Sequence, residues 1–353
     1  MNWDEVRSRR LVRSHLAERA PADRLVDVVR DVGGIHAQVM GSAELQLAAR
    51  IEGITQADVR DALWGRRELV KTWTVRGTLH IHPADELSLW TAARRAVVGE
   101  EDYAADDVEN VDDVVAAIGE VLRGRRLLRE ELADAVVARV GAAPREKLAS
   151  GWGYYLGDAA ISDALCFGPP AGSKVTFVHP DDWLGPRPEW DPREALREVA
   201  RRYAETYGPV TYREFRQWFS SRSFSIDDAK QLFDELELPE LEPPACAVSS
   251  VRLLPEYDVY VMGFREREHL VPPAVREQVA AHGKGRYEGP AGTPFLVVDG
   301  VCAGIWSRKK RAKKIELTVE PARTLSRGEK AGVEAEAERI GLFLGLEPIL
   351  SIA

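Results

Sequence analysis

The amino-acid sequence predicts a mainly α protein with β wings (α+β), built from tandem winged helix-turn-helix modules and a C-terminal β-rich element. Three observations carry that expectation. Near the N-terminus, three short amphipathic helices run into a segment of period 2. The same helix-then-helix pattern returns around Gly124 and Gly208, 84 positions apart. Beyond residue 250, helical periodicity gives way to short alternating runs with turn residues between them.

In the first module, Leu25, Val28, Val29 and Val32 form an i, i+3, i+4, i+7 stripe that stops at Gly33-Gly34. Ser42 is placed to cap a second helix through about Arg50. Thr55, with Asp58 three residues on, resembles a capping box for a third helix carrying Val59 and Leu63. At 69–82 the period changes: Trp73, Val75, Leu79 and Ile81 alternate with Thr72, Thr74, Arg76, Thr78, His80 and His82. That is the pattern of a half-exposed strand or a tight hairpin, bent at Gly77. Pro83, followed by Asp85 and Glu86, opens the next helix. Residues 1–98 therefore read as one winged-helix module.

A second module is expected over 99–190. Val114, Val115, Ile118, Val121 and Leu122 mark its first helix, and a hairpin runs from Leu165–Phe167 through Gly168–Gly172 to Lys174–Val178. A third, helix-turn-helix module is expected over 191–250, where Thr211 and Glu214 stand at capping-box spacing. The Pro-rich stretches 183–192 and 239–244 are linker candidates. In 251–353, Phe295–Val298, the Asp299-Gly300 turn, Val301–Trp306, a basic loop and Ile315–Val319 read as a three-stranded meander, closed by a helix over 328–345.

At 353 residues the chain should hold two or more domains, and 45% hydrophobic with 30% charged residues is a globular composition. No run approaches the roughly 18 apolar residues of a membrane helix, and the start Met1-Asn2-Trp3-Asp4-Glu5 has no signal-peptide character. Three widely spaced cysteines argue against a disulfide framework or a Cys-based zinc site and fit a reducing cytoplasm. The net charge of −9 argues mildly against a nucleic-acid binder, but phosphates respond to the local surface. Arg308, Lys309, Lys310, Arg311, Lys313 and Lys314 put six cations into seven positions, while 99–113 and 227–242 are acidic. The expected body is acidic with one basic edge.

Four segments carry a resemblance. They are Gly34-Ile35-His36-Ala37-Gln38-Val39, Trp73-Thr74-Val75-Arg76-Gly77-Thr78-Leu79-His80, Leu254-Pro255-Glu256-Tyr257-Asp258, and Asp299-Gly300-Val301-Cys302-Ala303-Gly304-Ile305-Trp306. In this order, and over most of the chain, they resemble the AlkZ/YcaQ family of bacterial winged-helix DNA glycosylases. The resemblance implies tandem winged helices around a concave DNA-binding face. It also implies hydrolysis of the N-glycosidic bond of alkylated purines, including bulky adducts and some interstrand crosslinks. The family's active-site motif is usually Gln-x-Gln, or Gln-x-Asp in another branch. Here it is His36-Ala37-Gln38, a change that bears on strength and substrate range more than on reaction class.

The chemistry is coherent with those residues. A purine alkylated at N3 or N7 is already cationic and leaves readily, so the protein's work is to hold water and stabilise an oxocarbenium-like sugar. Amides can orient water, and a histidine, ordinarily neutral at pH 7 with a pKa of about 6.5, can also take its proton. The resemblance thus casts His36 as water activator and Gln38 as water positioner, with the reverse assignment open. No lysine lies in the segment, so a Schiff-base lyase step is not expected.

Other readings stand beside these. Without the resemblance, a His-x-Gln after a helix is a capping or solvent-facing pair. Arg76, Thr78 and His80 are candidates for DNA contact on the wing, although Arg76 and His80 could equally brace it against its own helices. The 308–314 run is either a solvated loop or a phosphate-gripping hairpin tip. His80 and His82 lack a further ligand at metal spacing, so no metal and no cofactor are expected. The expected partner is damaged double-stranded DNA, met by a monomer in the cytoplasm in association with the nucleoid, with no membrane contact. The competing function is a non-enzymatic winged-helix regulator or a catalytically silent lesion binder.

Overall fold

Local chemistry sets most element boundaries. Helix Leu25–Asp31 ends where Gly33 and Gly34 take φ of +73° and +94°, values that glycine adopts without Cβ strain. Helix Gln56–Trp64 opens on the Thr55–Asp58 box, with Thr55 N donating to Asp58 Oδ2 at 2.8 Å and Asp58 N to Thr55 Oγ1 at 3.2 Å. Thr211 and Glu214 form the same device at the start of helix Tyr212–Trp218. Ser42 does not cap. The helix begins at Met40, so Ser42 lies inside it and its hydroxyl donates to the Glu256 carbonyl instead.

The structure, a computed structural model, describes residues 2–99, 101–102, 110–238, 248–264, 267–282 and 292–353. Its contacts divide the chain into two compact units: Met1–Val59 with Ala204–Val210 and Pro239–Ala353, and Arg60–Tyr203 with Thr211–Leu238. Of the two linker candidates, 185–191 is an irregular stretch between helices Pro180–Leu184 and Pro192–Tyr207, whereas 239–244 lies outside the described residues. Among the described residues, no helix is long and apolar enough to cross a membrane.

In the first unit, the C-terminal β-rich element is a five-stranded sheet. Its order is Glu347–Ile352, Lys314–Pro321, Val301–Lys310, Phe295–Val298, Val251–Leu254. The expected meander forms its middle, and the closing helix Arg327–Leu344 packs on it. The two outer strands add to what the sequence led us to expect. The last one pairs parallel with Lys314–Pro321, which the helix between them permits.

The Asp-Gly-x-x-x-Gly-x-Trp segment has a residue-by-residue explanation here. Asp299 and Gly300 both take positive φ, +50° and +79°, as a two-residue hairpin turn of the twist-matching type requires. A Cβ on Gly304 would lie 2.4 Å from the Glu320 carbonyl oxygen. Trp306 is 2% exposed and donates its indole N–H to the Leu254 carbonyl at 2.7 Å.

The second unit contains helices Leu87–Arg95, Val111–Leu122, Arg129–Val140 and Tyr154–Ile161, and a small sheet ordered Leu127–Leu128, Lys174–Val178, Cys166–Ala171. The hairpin expected at 165–178 is therefore present, turning at Gly172 with φ +63°. Residues 69–82 also form a hairpin, Leu69–Trp73 against Leu79–Pro83, turning through Val75–Gly77. The half-exposed alternative is corrected, because all ten strand residues are buried. Part of its polar face is paired within the hairpin, while Thr72 Oγ1 and His82 Nδ1 are buried without a hydrogen-bond partner. His82 Nε2 and Thr74 Oγ1 lie 2.8 Å apart, and Trp90 stacks on the His82 ring at 4.2 Å. The observed class is thus the expected one, helices with β hairpins and a C-terminal β-rich element.

Candidate active site around His36

The Gly33-Gly34 turn delivers the chain into a two-residue strand, Ile35–His36, followed by a bend that leads into helix Met40–Arg50. His36 is 4% exposed, whereas Gln38 is exposed. The polar pair is therefore split across the surface. One member is inside, the other faces water.

What holds His36 is a set of side chains from distant segments of the same unit. Gln46 donates through Nε2 to the His36 carbonyl at 3.0 Å and accepts from Val259 N–H at 3.3 Å. One turn further along the helix, Arg50 grips Asp258 with two bonds of 2.8 and 2.7 Å, both side chains being 0% exposed. Asp258 also caps the short helix Val259–Met262 by accepting from Tyr260 N at 2.9 Å. Such bidentate, charge-assisted pairs fix geometry more tightly than a single bond. On the other side, Arg308 holds the Glu256 carboxylate with two bonds of 2.8 Å. Tyr257 lies between these two clamps with φ +61°, and its ring centroid is 5.1 Å from that of His36. The Leu-Pro-x-Tyr-Asp and Gly-x-Trp segments are thus scaffolding for the wall facing His36.

Gln46 and Arg50 are residues that sequence reasoning passed over. What makes them pair is burial, since Ser42 to Arg50 are all buried in the structure, and the sequence signals only that Gln46 and Arg50 stand four residues apart on one helix.

The wing candidates are used within the second unit. Arg76 is half-buried with φ +58° and donates to the Trp218 carbonyl at 2.9 Å. Thr78 donates its hydroxyl to the Val75 carbonyl at 3.0 Å. His80 is 2% exposed, with Nδ1 3.1 Å from the Thr78 carbonyl and its ring stacked 5.9 Å from that of His82. His82 is fully buried, and desolvation pushes its pKa down to about 3.

The six-cation run lies where strands Val301–Lys310 and Lys314–Pro321 meet. It is not uniformly free. Arg308 serves Glu256, Arg311 pairs with Glu316 at 2.9 Å, and Lys314 stands 3.4 Å from Glu347. Lys309, Lys310 and Lys313 are exposed.

With this geometry in view, the comparisons with known proteins are decisive. A family model described as "DNA glycosylase AlkZ-like" matches residues 29–343. The chain belongs to the AlkZ-like DNA glycosylase family. It is 28% identical over 384 aligned positions to the interstrand DNA cross-link repair glycosylase of Streptomyces sahachiroi, covering 98% of this chain and 97% of that one. The solved structure of the Streptomyces sahachiroi DNA glycosylase AlkZ superposes with a TM-score of 0.82 at 28% identity, over 100% of both chains.

Proposed function

We propose that this AlkZ-like chain is a monofunctional glycosylase for cationic N3- or N7-alkylpurines in duplex DNA, interstrand crosslinks among them, acting in the cytoplasm. The observation that carries the reading is His36, buried against Tyr257 and anchored through its carbonyl by Gln46, with Gln38 exposed two residues on.

In this reading the C1′–N bond breaks with its electron pair going to the purine, whose positive charge is thereby neutralised. Water oriented by Gln38 adds its oxygen to C1′. The departing water proton goes to a ring nitrogen of His36, and the product is an abasic deoxyribose. General-base assistance of this kind contributes about 10²–10⁴-fold. The family's glutamine can orient water but not accept its proton, so histidine extends the reach of the site toward less labile adducts.

The test is single-turnover base release from duplex DNA carrying an N7-alkylguanine, scored as alkali-labile sites. Gln38→Ala is expected to lose most activity, and His36→Gln to retain a good share. The wild-type rate should fall on the acid side as imidazole protonates, and that limb should be absent from His36→Gln. An unchanged acid limb in this variant removes His36 from the role of base, and borohydride trapping of an enzyme–DNA adduct overturns the monofunctional reading.

A further inference from the structure

We infer that Trp152, in the Gly151–Gly153 turn of the second unit, is a stacking platform for an unpaired nucleobase, with Arg222 at the cavity rim facing the adjoining phosphate. The inference rests on the proposal that the chain works on duplex DNA.

Trp152 is 85% exposed, in a protein where Trp73, Trp90, Trp218 and Trp306 are all 7% exposed or less. Loose chain does not account for this exposure. Trp152 N donates to Ser150 Oγ at 3.2 Å, and the Ser150 carbonyl accepts from Arg129 Nη1 at 2.6 Å. On the other side, Gly153 has φ +89° and sits so close to Trp73 that a Cβ there would lie 2.7 Å from the indole nitrogen. Its carbonyl accepts from Gly157 N at 2.6 Å, the first bond of helix Tyr154–Ile161. The backbone is pinned on both flanks of Trp152, so the exposed indole stands on an ordered turn.

The indole borders a cavity of about 410 Å³ whose lining includes Tyr154, Arg76, Arg94, Ser220 and Arg222. That is a volume typical of a small-ligand pocket, roughly 300–1,000 Å³. Arg94 is occupied inside, donating to the carbonyls of Phe219 and Ser220 at 2.9 and 2.6 Å. Asp102 is likewise turned inward, accepting from the Ser221 hydroxyl at 2.7 Å and from Arg222 N at 2.8 Å. That carboxylate fixes the rim loop and leaves the Arg222 side chain exposed. A flat π face, a cavity and the exposed Arg222 at its edge match a nucleotide: the base stacks, the phosphate meets guanidinium. A protein partner would meet a bare indole most readily within an apolar patch, and here the surrounding residues are mainly charged and polar. An enzyme that acts on a base within a duplex leaves a base unpaired, so the ligand is at hand in the reaction itself.

The test is fluorescence anisotropy with a labelled duplex bearing one extrahelical thymine, beside its fully paired counterpart. Wild type should favour the bulged duplex. Trp152→Ala should weaken bulge binding on the order of ten-fold and paired binding little, while Trp152→Phe keeps most of the preference. Arg222→Ser should reduce the salt slope for the bulged duplex by about 0.9. Unchanged binding of both duplexes by Trp152→Ala, or an equal loss on both, overturns the platform and leaves the indole to another partner. Failure of wild type to bind either duplex overturns the DNA reading itself, a separate outcome.

Discussion

Tyr257 is the residue whose conformation is hardest to explain by packing alone. It holds φ +61°, a left-handed value that costs a non-glycine residue about 1–2 kcal/mol. Its neighbours make that conformation compulsory, Glu256 through Arg308 and Asp258 through Arg50. Glycine would be the cheaper residue there, and what the tyrosine adds is its ring, 5.1 Å from His36. Tyr257→Gly is expected to melt within a few degrees of wild type while single-turnover excision falls at least ten-fold, and Tyr257→Phe should match wild type in both. A Gly variant that is markedly destabilised but fully active would reduce the ring to packing. His82 supplies a second residue-scale expectation. Its pKa is near 3 when folded against about 6.5 unfolded, so as pH falls the unfolded chain takes up the proton first. The stabilisation is complete above about pH 6.5 and is lost progressively toward pH 3, by up to about 1.4 kcal/mol per pH unit. Denaturant titrations between pH 6 and 4 should show a shallower acid slope in His82→Leu than in wild type.

At the scale of elements, legibility followed sequence distance. The capping boxes at Thr55 and Thr211, the Asp299-Gly300 turn and the Gly33-Gly34 stop were readable because their partners lie within a few residues. Ser42 was misread as a cap because its partner is Glu256, and no local pattern announces a bond across 214 positions. The strand Glu347–Ile352 escaped for a related reason: a parallel partner is set by a helix crossover, not by a turn. The basic hairpin shows the same limit in charge. Six cations were legible as a cluster, but the carboxylates that take up Arg308, Arg311 and Lys314 come from positions 256, 316 and 347. The phosphate-gripping set we now propose is Lys309, Lys310 and Lys313. At about 0.9 per contact, three contacts give a salt slope of roughly −2.7, so raising salt from about 50 to 200 mM should weaken DNA binding about 40-fold. Replacing the three lysines with serine should remove that part of the slope and spare the chemical step on bound substrate. A triple variant with the wild-type slope would show the tip to be merely solvated.

For the whole molecule, the family and the fold class were legible because four short segments recur in a fixed order, whereas the way the chain closes on itself was not. The expected first module ends at residue 98, and the contacts group Met1–Val59 with Pro239–Ala353. Arg10, 2% exposed, donates to the Tyr207 carbonyl at 2.9 Å and lies 2.9 Å from His269. Arg50, fully buried, has its carboxylate partner in Asp258. Leaving one member of a buried ion pair uncompensated costs about 3–5 kcal/mol, a large share of the roughly 5–15 kcal/mol that holds a domain folded. A fragment ending at residue 98 carries both arginines without Tyr207, His269 or Asp258. Expressed alone, residues 1–98 are expected to melt gradually by circular dichroism, without a cooperative transition. In the full chain Asp258→Ala should lower stability by about 3–5 kcal/mol, and the double change Arg50→Met, Asp258→Leu should recover much of it by removing both charges together. A sharp two-state melt of the fragment would instead make 1–98 an autonomous winged-helix module, and the arginine pair would then matter for holding the wall beside His36 rather than for folding.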